Sequence, residues 1–178
     1  MKEANDNMFS IWLIPDEKDE NELSKIVKNL AYRYNSPIFI PHLTLLGNVV
    51  ISFDDLKSAV DEVFENKKPF TIKEAKLNQS EQFFKTVFIE FELDENLKKF
   101  FELLSIKTDK IDIETFKPHI SLIYKIMSKE EKLKIIENLD VKNEFTIGRV
   151  FISAPKEGDA DFMDVRNWRV LYKKSLNS

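Results

Sequence analysis

The chain has no cysteine, which excludes disulfides, cysteine-ligated zinc and a thiol nucleophile. It has only three glycines. Neither G-x-G-x-x-G nor G-x-x-x-x-G-K-[ST] occurs, so the glycine-rich loops that cradle nucleotide phosphates are excluded as well. Two histidines are too few for a strong metal site. No apolar run long enough for a signal peptide or a membrane span follows the polar start Met1-Lys2-Glu3-Ala4-Asn5-Asp6-Asn7. The expectation is a cytoplasmic protein that makes no use of a membrane. Positive charge is also short, with 27 basic against 31 acidic residues and a formal net charge of −4. Long nucleic acid is held by neutralising many phosphates and releasing their counterions, and this balance argues against such a partner. One small phosphate-bearing ligand, or an RNA end, needs only a few local contacts and stays open.

What the chain does have is a short pattern written twice. Pro41-His42-Leu43-Thr44-Leu45 and Pro118-His119-Ile120-Ser121-Leu122 share the order proline, histidine, aliphatic, hydroxyl, leucine, and they account for both histidines. The flanks, Ile38-Phe39-Ile40 before the first copy and Ile123-Tyr124 after the second, read as buried strand. Strand side chains alternate between faces. His42 and Thr44 therefore share one face, with Leu43 and Leu45 on the other. His119 and Ser121 pair in the same way, opposite Ile120 and Leu122.

The remaining sequence reads as alternating strands and helices. Met8–Ile14 has strand alternation, with Phe9, Ile11 and Leu13 opposite Ser10, Trp12 and Ile14. Asp19 with Glu22 resembles a capping box ahead of a helix carrying Leu23, Ile26, Val27, Leu30, Ala31 and Tyr34. Ser52 caps a second helix through Leu56, Val60, Val63 and Phe64. Phe70–Leu77 is a strand. Phe83–Leu93 carries the strongest strand signal, with Phe84, Thr86 and Phe88 on one face. Leu97, Phe100, Phe101 and Leu104 mark a third helix, followed by a polar connection over Ser105–Lys117. Ser128 with Glu131 opens a fourth helix. Glu144–Ala154 and Trp168–Tyr172 are the last strands, with an acidic loop over 155–164 between them. Strand, helix, histidine strand and helix thus recur. With 43% hydrophobic residues over 178 positions, and no Pro-, Gly- or Ser-rich linker, residues 1–178 are expected to form a single α+β domain. It has two lobes, and the histidine strands face each other across a shared groove.

Two imidazoles titrating near pH 6.5 can divide proton transfer. One takes a proton from an attacking water, and the other gives a proton to the leaving oxygen. Hydroxyls on the same faces can donate to the non-bridging oxygens of a phosphate. That is an apparatus for in-line displacement at phosphorus with no metal or other cofactor.

The paired His-x-[Ser/Thr]-aliphatic motifs, HLTL at 42–45 and HISL at 119–122, resemble the 2H phosphoesterase superfamily. The opening FSIWLIPDE (Phe9–Glu17), the FF-x-x-VF run (Phe83–Phe88) and KPHISLIY followed by SKEEK are similar to its plant and yeast cyclic phosphodiesterase branch. The resemblance implies a bilobal fold of two antiparallel sheets related by pseudo-twofold symmetry around a central cleft, with helices outside. It implies hydrolysis of nucleoside 2′,3′-cyclic phosphates to 2′-phosphates and of ADP-ribose 1″,2″-cyclic phosphate. By the same resemblance His42 and His119 are the acid–base pair and Thr44 and Ser121 hold the phosphate. Tyr124, Trp12 and Phe84 match aromatic positions near the substrate. Strict alternation puts Tyr124 opposite His119, so it reaches the cleft only if the strand ends or bulges near Ile123. The absence of cysteine departs from the plant members. The expected partner is a small phosphate-bearing substrate, acted on by a monomer. Two alternatives stay open: an RNA-end 2′,3′-cyclic phosphodiesterase or 2′-5′ RNA ligase-like enzyme, and a nucleotide-binding module without turnover. A cluster of Arg149, Arg166 and Arg169 beside the cleft would favour RNA.

Overall fold

Apolar alternation becomes strand β1 (Met8–Pro15), which buries Phe9, Ile11 and Leu13 on one face. The computed structural model describes residues 8–109, 113–156 and 168–177. After β1 come helix α1 (Glu17–Tyr34), β2 (Leu43–Val50), α2 (Phe53–Val63) and β3 (Phe70–Gln79). A single 3₁₀ turn (Phe83–Lys85) leads to β4 (Val87–Phe91), α3 (Glu95–Thr108) and a second 3₁₀ turn (Ile113–Thr115). The chain continues through β5 (His119–Ile123), α4 (Lys129–Glu137), β6 (Glu144–Pro155) and β7 (Trp168–Ser175). No helix among the described residues is long and apolar enough to cross a membrane.

Among the described residues the strands pair in the order β1-β2-β5-β4-β3-β6-β7, all antiparallel, and β1 also pairs with β6. The ladder therefore returns on itself, and its two sides are the two expected sheets: β2, β1, β6 and β7 on one, and β5, β4 and β3 on the other. Each half of the chain places its last strand in the other half's sheet. β3 lies beside β4, and β6 lies beside β1. Exchanging β1 with β4, β2 with β5 and β3 with β6 maps the ring onto itself, which is the pseudo-twofold relation expected of the repeat. The histidine strands β2 and β5 meet at the axis through one register pair, Leu43 with Ile120. Both residues are fully buried.

Several local readings are corrected. Phe83–Lys85 is a 3₁₀ turn, not the start of a strand. Ser80 Oγ donates to the Lys85 carbonyl, Lys85 N–H donates to the Gln82 carbonyl at 3.1 Å, and Thr86 Oγ1 donates to the Lys125 carbonyl at 2.7 Å. These polar ties curl the backbone before the ladder begins at Val87, overriding the apolar alternation. The run Ile38-Phe39-Ile40 is not strand, and Ile38 is 55% exposed. It lies between Pro37 and Pro41, which supply no N–H to a ladder. Helix α1 starts earlier than the capping box placed it. Asp16 is its N-cap, accepting from Asp19 N–H at 2.9 Å. Asp19 is instead buried and accepts the Thr146 N–H at 2.7 Å and the Lys142 ammonium, tying α1 to β6. Helix α3 runs on to Thr108, into the stretch read as a polar connection, and stops at Asp109 in the left-handed region (φ 52°). The Ser128–Glu131 capping box and the Ser52 cap form as expected. The acidic loop, from residue 157 onward, lies outside the described residues.

Leu43→Ala or Ile120→Ala is expected to cost about 2–5 kcal/mol, the range for emptying a buried aliphatic site. The two losses should not add, because the residues are register partners. Urea unfolding of both single variants and the double variant checks this.

Candidate functional site

His42 stands one residue before β2, and His119 opens β5. Each imidazole is tied to its own backbone in the same way. His42 Nδ1 lies 2.6 Å from the Ile40 carbonyl and His119 Nδ1 lies 2.8 Å from the Lys117 carbonyl, two residues back in each case. A carbonyl only accepts, so Nδ1 carries the hydrogen in both rings. Nε2 is then the unprotonated nitrogen of each neutral ring, able to accept a proton.

A cleft of about 590 Å³ brings together the seven residues singled out by the sequence: His42, Thr44, His119, Ser121, Trp12, Phe84 and Tyr124. Tyr124 reaches it because β5 ends at Ile123, where the register with β4 also shifts. Alternation therefore no longer governs its direction. Burial pushes its phenol pKa well up, so it stays a neutral hydroxyl. Ser121 Oγ donates to the Phe84 carbonyl at 2.7 Å, which anchors the 3₁₀ turn carrying Phe84 to the second motif.

Aromatic rings line the walls. Trp12 stacks on His42 at 3.9 Å and 15°, and Trp168 lies beyond it at 5.9 Å from Trp12. Trp12 is the register partner of Thr44, and its pseudo-twofold counterpart is Phe88, the partner of Ser121. Phe88 meets His119 edge-on at 5.4 Å. Phe39 stacks on Tyr124 at 3.7 Å, and Phe84 meets the same ring edge-on at 5.3 Å. Sequence reasoning did not single out Phe39, Trp168 or Ser10, all of which line the cleft. Only the alternation of β1 signalled one of them, by placing Ser10 on the Trp12 face.

The electrostatics of the cleft favour neutral rings. Burial lowers the His42 pKa from 6.5 to about 4, against the opposing hydrogen bond to Ile40, and the His119 charge pushes the same way. His119 is also lowered, first by burial. Its bond to Lys117 and the charge of Glu90 oppose this, and Lys85 adds to it. An anion between the rings would reverse both effects. Among the described residues no three histidines, aspartates or glutamates converge on a point that could hold a metal. The arginine cluster that would favour RNA does not form among the described residues. Arg149 donates to the Pro15 carbonyl and the Glu20 carboxylate, and neither it nor Arg169 lines the cleft. Arg166 lies outside the described residues.

Because folding holds His42 below its ordinary pKa, the unfolded chain binds more protons than the folded one between about pH 4 and 6.5. Stability present above pH 6.5 is therefore lost as the pH falls toward 4. Urea midpoints at pH 7.5, 5.5 and 4.5 should drop in that order, and His42→Gln should drop less. An equal drop in the variant would show that His42 titrates normally.

Known proteins share this architecture. A cyclic phosphodiesterase of Arabidopsis thaliana is 24% identical over 132 residues, 74% of this chain and 73% of its own. The crystal structure of E. coli LigT complexed with 3′-AMP superposes with a TM-score of 0.58 at 12% identity, covering 97% of this chain and 99% of that one. The crystal structure of TT0787 of Thermus thermophilus gives 0.61 at 15% identity, covering 95% and 97%. Residues 8–176 match the family model described as cyclic phosphodiesterase-like protein. With nearly the whole described fold inside that match, the chain belongs to the cyclic phosphodiesterase-like family of 2H phosphoesterases, a family of phosphodiester hydrolases.

Proposed function

We propose that the chain opens small cyclic phosphates, converting nucleoside 2′,3′-cyclic phosphates to 2′-phosphates and hydrolysing ADP-ribose 1″,2″-cyclic phosphate. The observation that carries this is the pair of identically tethered imidazoles, each Nε2 without a partner among the described residues, facing one cleft with two hydroxyls and an aromatic wall. The name of the Arabidopsis relative supports the reaction. Structures of E. coli LigT with 3′-AMP, NADP+, ATP and phosphate support a small phosphate-bearing ligand.

One neutral imidazole takes a proton from water through Nε2 as the water oxygen attacks phosphorus. The P–O3′ bond breaks on the opposite side. The other ring, protonated, gives its Nε2 proton to O3′, leaving the 2′-phosphate. Each positioned group contributes about 10²–10⁴ in rate. Thr44 and Ser121 donate to the non-bridging oxygens where charge builds. Ser121 does so by turning its hydroxyl away from the Phe84 carbonyl. Trp12, Trp168 and Phe84 offer faces on which a base stacks, and Tyr124 supplies a neutral donor.

Burial depresses both rings, so the second ring gains its proton when the charge of an anionic substrate arrives beside it. Binding of adenosine 2′-monophosphate at pH 6.5 should therefore take up protons. Calorimetry in buffers of different ionisation enthalpy measures this, and His42→Ala and His119→Ala should each reduce the uptake.

The direct test is a product assay in EDTA with 2′,3′-cyclic AMP, ADP-ribose 1″,2″-cyclic phosphate and an RNA oligomer ending in a cyclic phosphate. Rapid opening of the small substrates to 2′-phosphates is expected, with each histidine-to-alanine variant slower by about 10²–10⁴ and its circular dichroism unchanged. Turnover of the oligomer alone would replace this reading with an RNA-end enzyme. A variant with near-normal rate would refute the acid–base pair.

A further inference from the structure

Behind His119, away from the Trp12 wall, lies a second recess of about 670 Å³. It shares Thr44, Gly47 and His119 with the first cleft, so the two adjoin at His119. The two differ in charge. No lysine lines the first, whereas in the second Lys85, Lys117, Asn78, Gln82 and Glu90 stand beside Phe88 and the stacked pair Phe101 and Phe116.

Both lysines are tied to the reactive ring, one through its backbone and one through its side chain. Lys117 stands two residues before His119, and its carbonyl accepts the His119 Nδ1 hydrogen. Lys85 Nζ sits 4.4 Å above the Phe88 ring, the same ring whose edge meets His119. Many lysines in this acidic chain have a carboxylate partner; Lys57, Lys107, Lys132 and Lys174 each have one within 3.0 Å. Lys85 has none within 4.0 Å among the described residues. Glu90, opposite His119 in register, is the recess's carboxylate, and it is already shared between Asn78 at 3.0 Å and Lys76 at 4.0 Å. Burial lowers the pKa of Lys85, Lys117 lowers it further and Glu90 opposes them. A half-buried ammonium at Lys85 that feels the like charge of the exposed Lys117 is stabilised by a bound anion.

We infer that this recess is a second anion subsite, in which Lys85 and Lys117 receive a phosphate carried on the 5′ side of the same substrate. The inference rests on the proposed cyclic-phosphate reaction and narrows its substrate. The base lies against the aromatic end, the cyclic phosphate lies between the imidazoles, and a further phosphate reaches the lysine end. The protein then prefers a nucleotide with phosphate on both sides of its sugar to a bare nucleoside cyclic phosphate. That second phosphate is a terminal monoester, the diester of a preceding nucleotide or, in ADP-ribose 1″,2″-cyclic phosphate, the diphosphate. Lysine suits either, acting as a point charge without the planar fork of arginine.

Calorimetry with product-like ligands tests this without relying on turnover. The ligands are adenosine 2′-monophosphate, adenosine 2′,5′-bisphosphate and a dinucleotide ending in a 2′-phosphate. The bisphosphate should bind about tenfold or more tightly than the monophosphate, equivalent to about 1.4 kcal/mol, with a ratio that shrinks as salt rises. In Lys85→Met, in Lys117→Met and in the double variant that ratio should fall toward one. It is taken within each protein, so a general loss of fold does not mimic the effect. A gain by the dinucleotide as well would identify the diester as the second phosphate, and a gain by the bisphosphate alone would identify the monoester. Equal affinities in the unaltered protein, or a ratio that survives both replacements, would overturn the subsite. Failure of all three ligands to bind would instead overturn the reading of the cleft as a nucleotide site.

Discussion

The structure hangs on a single point of contact between its two histidine strands. β2 and β5 share one register pair, Leu43 with Ile120, and diverge on either side of it. A fuller ladder would zip the strands together and fill the space between their outward faces with backbone. A missing one would let the two motifs drift apart. One buried pair holds the waist while leaving room for a ligand, and the aliphatic residues of both motifs are spent on that junction and on the core beneath it. The alternation of the strand then delivers imidazole and hydroxyl to the opposite side without further instruction.

Symmetry explains what is alike in the two motifs, and its breakdown explains what differs. Both rings are tethered through Nδ1 to the carbonyl two residues back. Their surroundings diverge. His42 lies flat under Trp12, which continues into Trp168, whereas His119 meets the edge of Phe88 and the charges of Lys85 and Glu90. A repeated fold supplies two equivalently tethered imidazoles, and unequal neighbours make the two sides of the site differ.

Much of this was legible in the sequence where one residue's role depended on its immediate spacing. The duplicated motif, the alternation of β1, and the Ser52 and Ser128 caps are of this kind. The failures share a cause, which is a distant partner that local pattern does not reveal. Asp19 had the look of a helix start but is claimed by Thr146 and Lys142 across the fold. Phe83–Lys85 had strand alternation but is curled by the ties of Ser80 and Thr86. Phe39 and Trp168 enter the cleft from a proline-bracketed segment and from the outermost strand, and neither has a spacing that announces it. Tyr124 was placed through family resemblance alone. The physical condition stated for it, a strand that stops near Ile123, is the one the fold meets.

The exchange of last strands has a consequence for how the protein comes into being. β1 is made early, yet one of its edges stays bare until β6 is synthesised, because β6 is the strand that covers it. β3 likewise waits for both β4 and β6. Neither half can complete a sheet while emerging from the ribosome, so the nascent chain carries open, apolar strand edges through most of its synthesis. Closure couples residues near both ends of the described fold, and the entropy of closing so long a loop opposes it until β6 is made. The aromatic wall is completed later still, because Trp168 lies on β7, which pairs with β6.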